Sequence, residues 1–382
     1  MDDIMHFYNN ENNPSIDKSY DENINNIFRL ASKTGGSSPL ESIKIAIEDF
    51  FEKKIIDLCS GYSNIISDLG NVSSSLIEQI SGLLIPIVKK ACLFDYSLNC
   101  QNEKKIQDFN QDYWESFQSS YPVVIEQFAL HIQHIITSLD TILNRVNIDR
   151  CLLSSWIKRE SIKITKITIE LGDVHKFGES VALIELNDVK VIYKPRNAST
   201  EELISNILDI CSDENKKIKI GVPQVINKES YSWHEYITFE NCSSIKEIYE
   251  YYENIGGFIC FAYALYGSDF HYENIIAKRN IPYILDMECM FIDIKSKNNL
   301  FSESVLDTNI IPTLSGNKVD TYICGIGNRD SKKNIVISKD FKNDSSGNVV
   351  MMKTPKEIPN KYNRPLFDIN SINVEHLKTS SI

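Results

Sequence analysis

Gly267-Ser-Asp-Phe-His-Tyr-Glu-Asn-Ile-Ile-Ala-Lys-Arg-Asn-Ile-Pro-Tyr-Ile-Leu-Asp-Met-Glu288 is the stretch on which the reading of the whole chain turns. Asp269, His271 and Asn274 stand in the pattern D-x-H-x-x-N. Apolar Ile275, Ile276 and Ala277 follow, Lys278-Arg279-Asn280 has turn composition, and Tyr283, Ile284 and Leu285 lead to Asp286. This order predicts a loop feeding a short hairpin, whose second strand returns an acidic side chain beside the loop. Phosphoryl transfer from ATP needs such an arrangement. One carboxylate accepts the hydroxyl proton, while an Asn and a second carboxylate hold the magnesium that spreads the phosphate charge. Taken alone, the stretch reads equally well as a polar surface loop ahead of an ordinary strand-terminal Asp.

On the N-terminal side of this stretch the hydrophobic period is two. Ile162, Ile164, Ile167 and Ile169 predict a strand within 161–171 carrying one bulge. Gly172-Asp173-Val174-His175-Lys176-Phe177-Gly178 interrupts it, and Val181–Leu186 and Val189–Tyr193 form an expected hairpin about Asn187-Asp188, ending in Lys194-Pro195-Arg196. In outline this matches the nucleotide-holding lobe of a kinase, with glycines that let backbone N–H groups approach phosphate and Lys194 to neutralise it. The G-x-G-x-x-G of protein kinases is not there, and a hairpin with a charged tip is the plain alternative. Ser199 and Glu202 predict a capping box opening a helix to about Cys211. Glu201 or Glu202 pairs with Lys194 in the kinase manner, or simply places negative charge at a helix N-terminus. Strands are expected at 217–221 and 230–238, a hinge at Glu240-Asn241-Cys242 and a helix over 244–266.

Residues before 160 have helical periodicity. Ser38-Pro39-Leu40-Glu41 joins an N-cap serine, a first-turn proline and a glutamate at N3, and Ile43, Ala46, Ile47, Phe50, Phe51 and Ile55 make the apolar face behind it. Further helices are expected over 73–95, 105–118 and 122–146, and residues 1–22, rich in Asn, Asp and Ser, read as a loosely docked lead-in. His131 and His134 lack a Cys or Glu at a known ligand spacing and read as packing residues, as do Tyr113, Trp114 and Phe117. Beyond Phe291 polar residues dominate, with strand-like pieces only at 334–337 and 349–352. The fold class expected is therefore α+β. It comprises a helical region over 1–160, a kinase-like small lobe over 161–243, and a kinase-like large lobe over 244–382 that lacks several helices of a complete one.

Composition narrows the partners. The 382 residues carry 40 Lys and Arg against 52 Asp and Glu, a formal net charge of −12 with no dense basic run, which argues against nucleic acid. The nine cysteines form no C-x-x-C pair and are odd in number, as expected of free thiols in a reducing compartment. No basic and apolar leader opens the chain, and the apolar run Leu83–Val88 is too short for a transmembrane segment, so a cytoplasmic location is the expectation.

Together, Leu171-Gly-Asp-Val-His-Lys-Phe-Gly-Glu-Ser-Val, Val-Ile-Tyr-Lys-Pro-Arg, Trp233-His-Glu-Tyr-Ile, Asp269-Phe-His-Tyr-Glu-Asn-Ile-Ile-Ala and Ile284-Leu-Asp-Met-Glu-Cys-Met-Phe resemble the dehydratase domain of type II lanthipeptide synthetases, the LanM family, over about 160–291. The resemblance implies a lipid-kinase-like bilobal fold acting on a ribosomal precursor peptide with a leader and a Ser/Thr/Cys-rich core. In that family Mg-ATP phosphorylates Ser and Thr, and loss of phosphate then leaves dehydroamino acids. Carried over, Lys194 would contact ATP and Asp269 would orient or deprotonate the peptide hydroxyl. His271 would support the loop, Asn274 and Asp286 would hold magnesium with Glu288 nearby, and Asp173 and His175 would lie at the phosphate end, the Asp serving elimination. The family's downstream Arg and Thr for elimination, and its zinc cyclase domain, have no counterpart before Ile382, as expected of a fragment, of a split enzyme completed by a second chain carrying the rest, or of a remnant. A stand-alone peptide kinase and a non-catalytic leader-peptide-binding fragment are the other readings.

Overall fold

The computed structural model describes residues 18–101, 109–171, 178–214, 218–291, 304–315, 318–320, 324–326, 335–357 and 362–365. Helices and strands are both present and largely segregated along the chain, as an α+β fold requires. Two compact units are distinguished, one of residues up to Tyr193 with Ser338–Thr354, the other of Lys194–Ile337 with Pro355 onward.

The first unit opens with six helices: α1 Lys18–Ala31, α2 Pro39–Ser60, α3 Leu69–Gln101, α4 Gln111–Ser120, α5 Pro122–Ile148 and α6 Arg150–Trp156. Ser38 caps α2 as expected, its side chain accepting from Glu41 N, and Pro39 occupies the first turn, where a missing N–H costs nothing. Asn110 caps α4 by accepting from Tyr113 N at 3.0 Å, so that helix begins at Gln111 instead of 105, and 102–108 lie outside the described residues. The apolar faces meet around Phe28, whose ring lies 5.3 Å from Trp114, 6.2 Å from Phe117 and 6.4 Å from Phe128. Trp114 and Phe117 are thus core residues, as the sequence suggested. His131 Nδ1 bonds Gln127 O within its own helix at 2.7 Å, and no cluster of metal-ligating side chains occurs among the described residues.

Strands β1 Ile164–Thr168, β2 Ala182–Leu186 and β3 Val189–Lys194 follow as an antiparallel meander. The expected bulge is present as a register shift between Ile164 and Lys166, and the two-residue turn at Asn187-Asp188 is made possible by Asn187 at φ +57°. The open edge of β1 is covered. Gln79 on α3 donates to Ile167 O and accepts from Ile169 N, and Ser67 N bonds Ile164 O. A hairpin of β10 Ile335–Asn343 and β11 Val349–Glu357 is fastened to α3 by Lys89 to Asp340 at 2.7 Å and Asn343 Nδ2 to Leu93 O at 3.0 Å.

The second unit contains α7 Ser199–Glu214, the hairpin β4 Val225–Asn227 with β5 Ser232–Glu235, α8 Ile245–Ala264, the hairpin β6 Ile275–Lys278 with β7 Ile281–Ile284, a 3-10 helix Val305–Thr308, and the pair β8 Thr313–Ser315 with β9 Lys318–Asp320. Ser244 caps α8, whose buried Tyr251, Ile255, Phe258 and Ala262 join Phe270, Ile275, Ala277 and Ile284 in one core. Two expectations are corrected. Residues 218–220 are not a strand; only Gly221 pairs, lying so close to β7 that a Cβ there would meet the Tyr283 ring at 2.6 Å. The capping box of Ser199 and Glu202 does not form. Both side chains are taken by Asn227 Nδ2, at 3.3 and 2.8 Å, while Asn227 Oδ1 accepts from Ala198 N. Among the described residues after α8 there is no further α-helix.

Phe28→Ala is expected to cost about 3–5 kcal/mol, because the three rings around the cavity left behind cannot collapse into it; urea denaturation followed by helical circular dichroism reads the loss.

Candidate functional site

The end of β3, the first turn of α7 and the turn after β7 bring five charged side chains together within the second unit. Lys194 closes β3 and is 7% exposed; its Nζ donates to Asp286 Oδ2 at 3.0 Å and to Leu285 O at 2.9 Å. Arg196 is two residues on. The chain bends at Pro195 and Arg196 as it leaves β3, and both cations reach the same carboxylate. Arg196 Nη2 lies 2.8 Å from Asp286 Oδ1 and 2.6 Å from Glu201 Oε1, Nη1 is 3.2 Å from Glu201 Oε2, and Nε is 3.3 Å from Glu288 Oε2. Asp286 Oδ1 also accepts Glu288 N at 3.1 Å.

Burial opposes ionisation of Asp286, yet Lys194 and Arg196 outweigh it and hold the carboxyl below its ordinary range. Burial likewise opposes the charge on Arg196, but Glu201, Asp286 and Glu288 keep the guanidinium more firmly protonated than usual. Glu201, 1% exposed, therefore pairs with Arg196. It does not pair with Lys194, and with Glu202 it lies in the first turn of α7, where negative charge was expected.

Ser232 and His234, i and i+2 on one strand, sit beneath this network. Ser232 Oγ donates to Arg196 O at 2.8 Å, which commits its only hydrogen, so the 2.8 Å contact with His234 Nε2 requires the imidazole to donate. His234 Nδ1 is then a bare acceptor, buried and without a hydrogen-bond partner. Burial first, then Lys194 and Arg196, push the imidazole pKa down to about 3, with Asp286 opposing in part. Sequence reading missed Arg196, Ser232 and His234, although the i, i+2 spacing along Ser232-Trp-His was a signal for the last two.

The D-x-H-x-x-N segment is a loop, held from several sides. Ser268 N bonds Cys289 O at 3.0 Å, Phe270 N bonds Thr308 O at 3.1 Å, and the Phe270 ring packs edge-on against Phe258 at 4.8 Å. Asp269 adopts φ +66°, a left-handed conformation that Asp tolerates better than most residues. Asn274 Nδ2 donates to Asp269 O at 2.9 Å and lies 3.4 Å from His271 Nε2, itself 3.9 Å from Asp269 Oδ1. With its amide nitrogen committed to the loop, Asn274 Oδ1 is the atom suited to meet a cation. Leu285 joins loop and charge network, because its N–H bonds Asn274 O at 2.9 Å while its carbonyl accepts Lys194. Asp269, His271, Asn274, Lys194 and Asp286 thus belong to one connected set, while Asp173 and His175 lie outside the described residues. Asp286, Asn274 and Glu288 offer hard oxygen donors, the chemistry that magnesium prefers.

Two outcomes follow from this geometry. His234 titrates near 6.5 in the unfolded chain and about 3 in the folded one, so between those values only the unfolded chain gains the proton, and stability falls as pH is lowered. The part due to His234 is on the order of 1.4 kcal/mol per pH unit. His234→Gln should remove that slope between about pH 6.5 and 4.5 in urea titrations, above the range where Asp286 protonates. Gly325→Ala is expected to displace the loop, since a Cβ there would stand 2.5 Å from Phe270 O. Faster amide exchange across residues 269–274 with a melting temperature within a few degrees of the parent is the expected result, read by hydrogen-exchange mass spectrometry and calorimetry.

Residues 121–380 match the family described as Domain of unknown function (DUF4135). A relative described as "Lacticin 481/lactococcin biosynthesis protein LcnDR2", from Lactococcus lactis subsp. lactis, is 28% identical over 273 residues, which are 63% of this chain and 29% of that protein. The chain therefore spans less than a third of the length of this relative. The family match covers most of the chain and takes in the charge network and the loop together, and the relative bears out the resemblance read from the motifs: the chain is LanM-like and belongs to the DUF4135 family.

Proposed function

We propose that this chain carries the ATP-dependent dehydratase chemistry of lanthipeptide biosynthesis, phosphorylating Ser and Thr of a precursor peptide and then eliminating phosphate. The observation that carries the reading is the joining of Asp286, through Leu285, both to Lys194 and to the Asp269–Asn274 loop. The printed description of the relative, a lacticin biosynthesis protein, supports the same pathway.

In this reading Lys194 binds the nucleotide phosphates through an ammonium delivered from the end of a strand. Asp269 orients the peptide hydroxyl and receives its proton as the oxygen attacks the terminal phosphorus and ADP departs. His271 holds the loop through its contacts with Asp269 and Asn274. Asn274 and Asp286 are the residues that would hold magnesium, which when bound supplies charge neutralisation for the phosphoryl group. Elimination takes the Cα proton to a base, forms the Cα–Cβ double bond and releases phosphate with the Cβ–O electron pair; Asp173 and His175 are the residues proposed for that end of the site. A cytoplasmic reaction suits ATP as the phosphoryl donor, and among the described residues no helix is long and apolar enough to cross a membrane.

Incubation of a Ser/Thr-rich precursor peptide with the chain and Mg-ATP is expected to produce phosphate addition of about 80 Da or water loss of about 18 Da per residue modified. Lys194→Ala and Asp286→Asn should each lower the rate by about 100-fold or more. Modification at the parental rate in either variant would remove the kinase-site assignment. Phosphate addition without water loss would favour a peptide kinase that stops at the ester, and nucleotide-independent peptide binding without any mass change would favour a leader-binding module.

A further inference from the structure

The proposed function makes Asp286 the carboxylate that a metal ion must meet, yet neither of its oxygens stands free. Oδ2 faces Lys194 Nζ at 3.0 Å, and Oδ1 is shared between Arg196 Nη2 at 2.8 Å and Glu288 N at 3.1 Å. The two cations are held differently. Arg196 is gripped through both terminal nitrogens by Glu201, which is itself almost wholly buried, and a planar guanidinium held in that way has little freedom to leave. Lys194 has Asp286 and a single carbonyl as hydrogen-bond partners, and its ammonium rides on a flexible four-carbon stem.

A divalent cation that approaches the free chain must therefore displace Lys194 from a carboxylate and leave a buried ammonium with one neutral acceptor, which is unfavourable. Nucleotide phosphates change that balance, because they offer Lys194 an anionic partner in place of the one it gives up. We propose that Lys194 locks Asp286 against divalent cations in the free chain, so that metal and nucleotide phosphate enter together, while Arg196, fixed by Glu201, keeps Asp286 aimed throughout. This inference rests on the assignment of Lys194 to phosphate and Asp286 to metal made above. It adds an order of binding that the assignment alone does not require, and it makes Arg196 a positioning residue. Linkage requires the coupling to be mutual, so the nucleotide is held more tightly with metal present by the same factor that it strengthens the metal.

Equilibrium dialysis of the full chain tests this, with manganese standing in for magnesium and a non-hydrolysable ATP analogue as nucleotide. Manganese alone, the analogue with a chelator, and both together are compared by what the protein retains. The expected result is no specific retention of manganese alone and one manganese with one analogue when both are supplied, a coupling of at least about 10-fold. Manganese retained alone within a few-fold of its affinity in the presence of the analogue would overturn the lock while leaving the nucleotide site standing. Retention of neither ligand in any mixture would overturn the nucleotide reading and the lock with it. Lys194→Met should bind manganese without nucleotide at least about 10-fold more tightly than the parent while losing affinity for the analogue, a reversal that simple unfolding cannot produce. Unchanged metal affinity in a folded Lys194→Met chain would also overturn the proposal.

Discussion

The carboxylate of Asp286, held between the ammonium of Lys194 and the guanidinium of Arg196, is the constraint around which the second unit is arranged. Charges placed this deeply are poor devices for stability. Desolvation consumes most of the Coulombic gain, and removing one partner leaves another buried and uncompensated. What the arrangement provides is position. Arg196 ties the first turn of α7 to the segment after β7, Lys194 ties the end of β3 to the same segment, and Ser232 fixes the Arg196 backbone from β5.

His234 shows the cost of that design. A neutral imidazole with an unpartnered Nδ1 is tolerated beside two cations because charging it there would cost still more. Burial, helped by Lys194 and Arg196, keeps His234 uncharged, while those two cations depress Asp286 and the surrounding carboxylates firm Arg196. The loop gains rigidity by different means. Thr308 and Cys289 supply backbone partners, Phe270 fills the core, and Tyr251 OH and Gly325 O are tied to Asn363 at 2.6 Å each. The polar groups of the loop are thereby carried on a segment whose apolar side chains are buried.

The first unit is built on another principle. Its core is aromatic and aliphatic packing from long amphipathic helices, with Phe28 and Trp114 fully enclosed, and its polar links serve to cover edges. Gln79 satisfies an acceptor on β1 and the donor of Ile169 just beyond it, and Lys89 with Asn343 fixes the β10–β11 hairpin on α3. Such contacts place elements and contribute little net energy of their own.

Elements whose physics is local can be read from the chain without its fold. Capping at Ser38 and Ser244, the turn at Asn187-Asp188, the bulge in β1 and the hairpin from Ile275 to Ile284 all follow from side chains within a few residues of where they act. The candidate residues Lys194, Asp269, His271, Asn274 and Asp286 were picked out from spacing and strand ends, and the fold connects them. Which charge pairs with which was decided only by tertiary structure. Glu201 could not be assigned to Arg196 from sequence, since the partner depends on where α7 lies against the segment after β7, some 85 residues along the chain. Asn227 displaced an expected capping box, and Gly221 entered a pairing that no strand pattern foretells, for the same reason: both are satisfied by groups distant in sequence that only the packed chain brings within hydrogen-bonding reach.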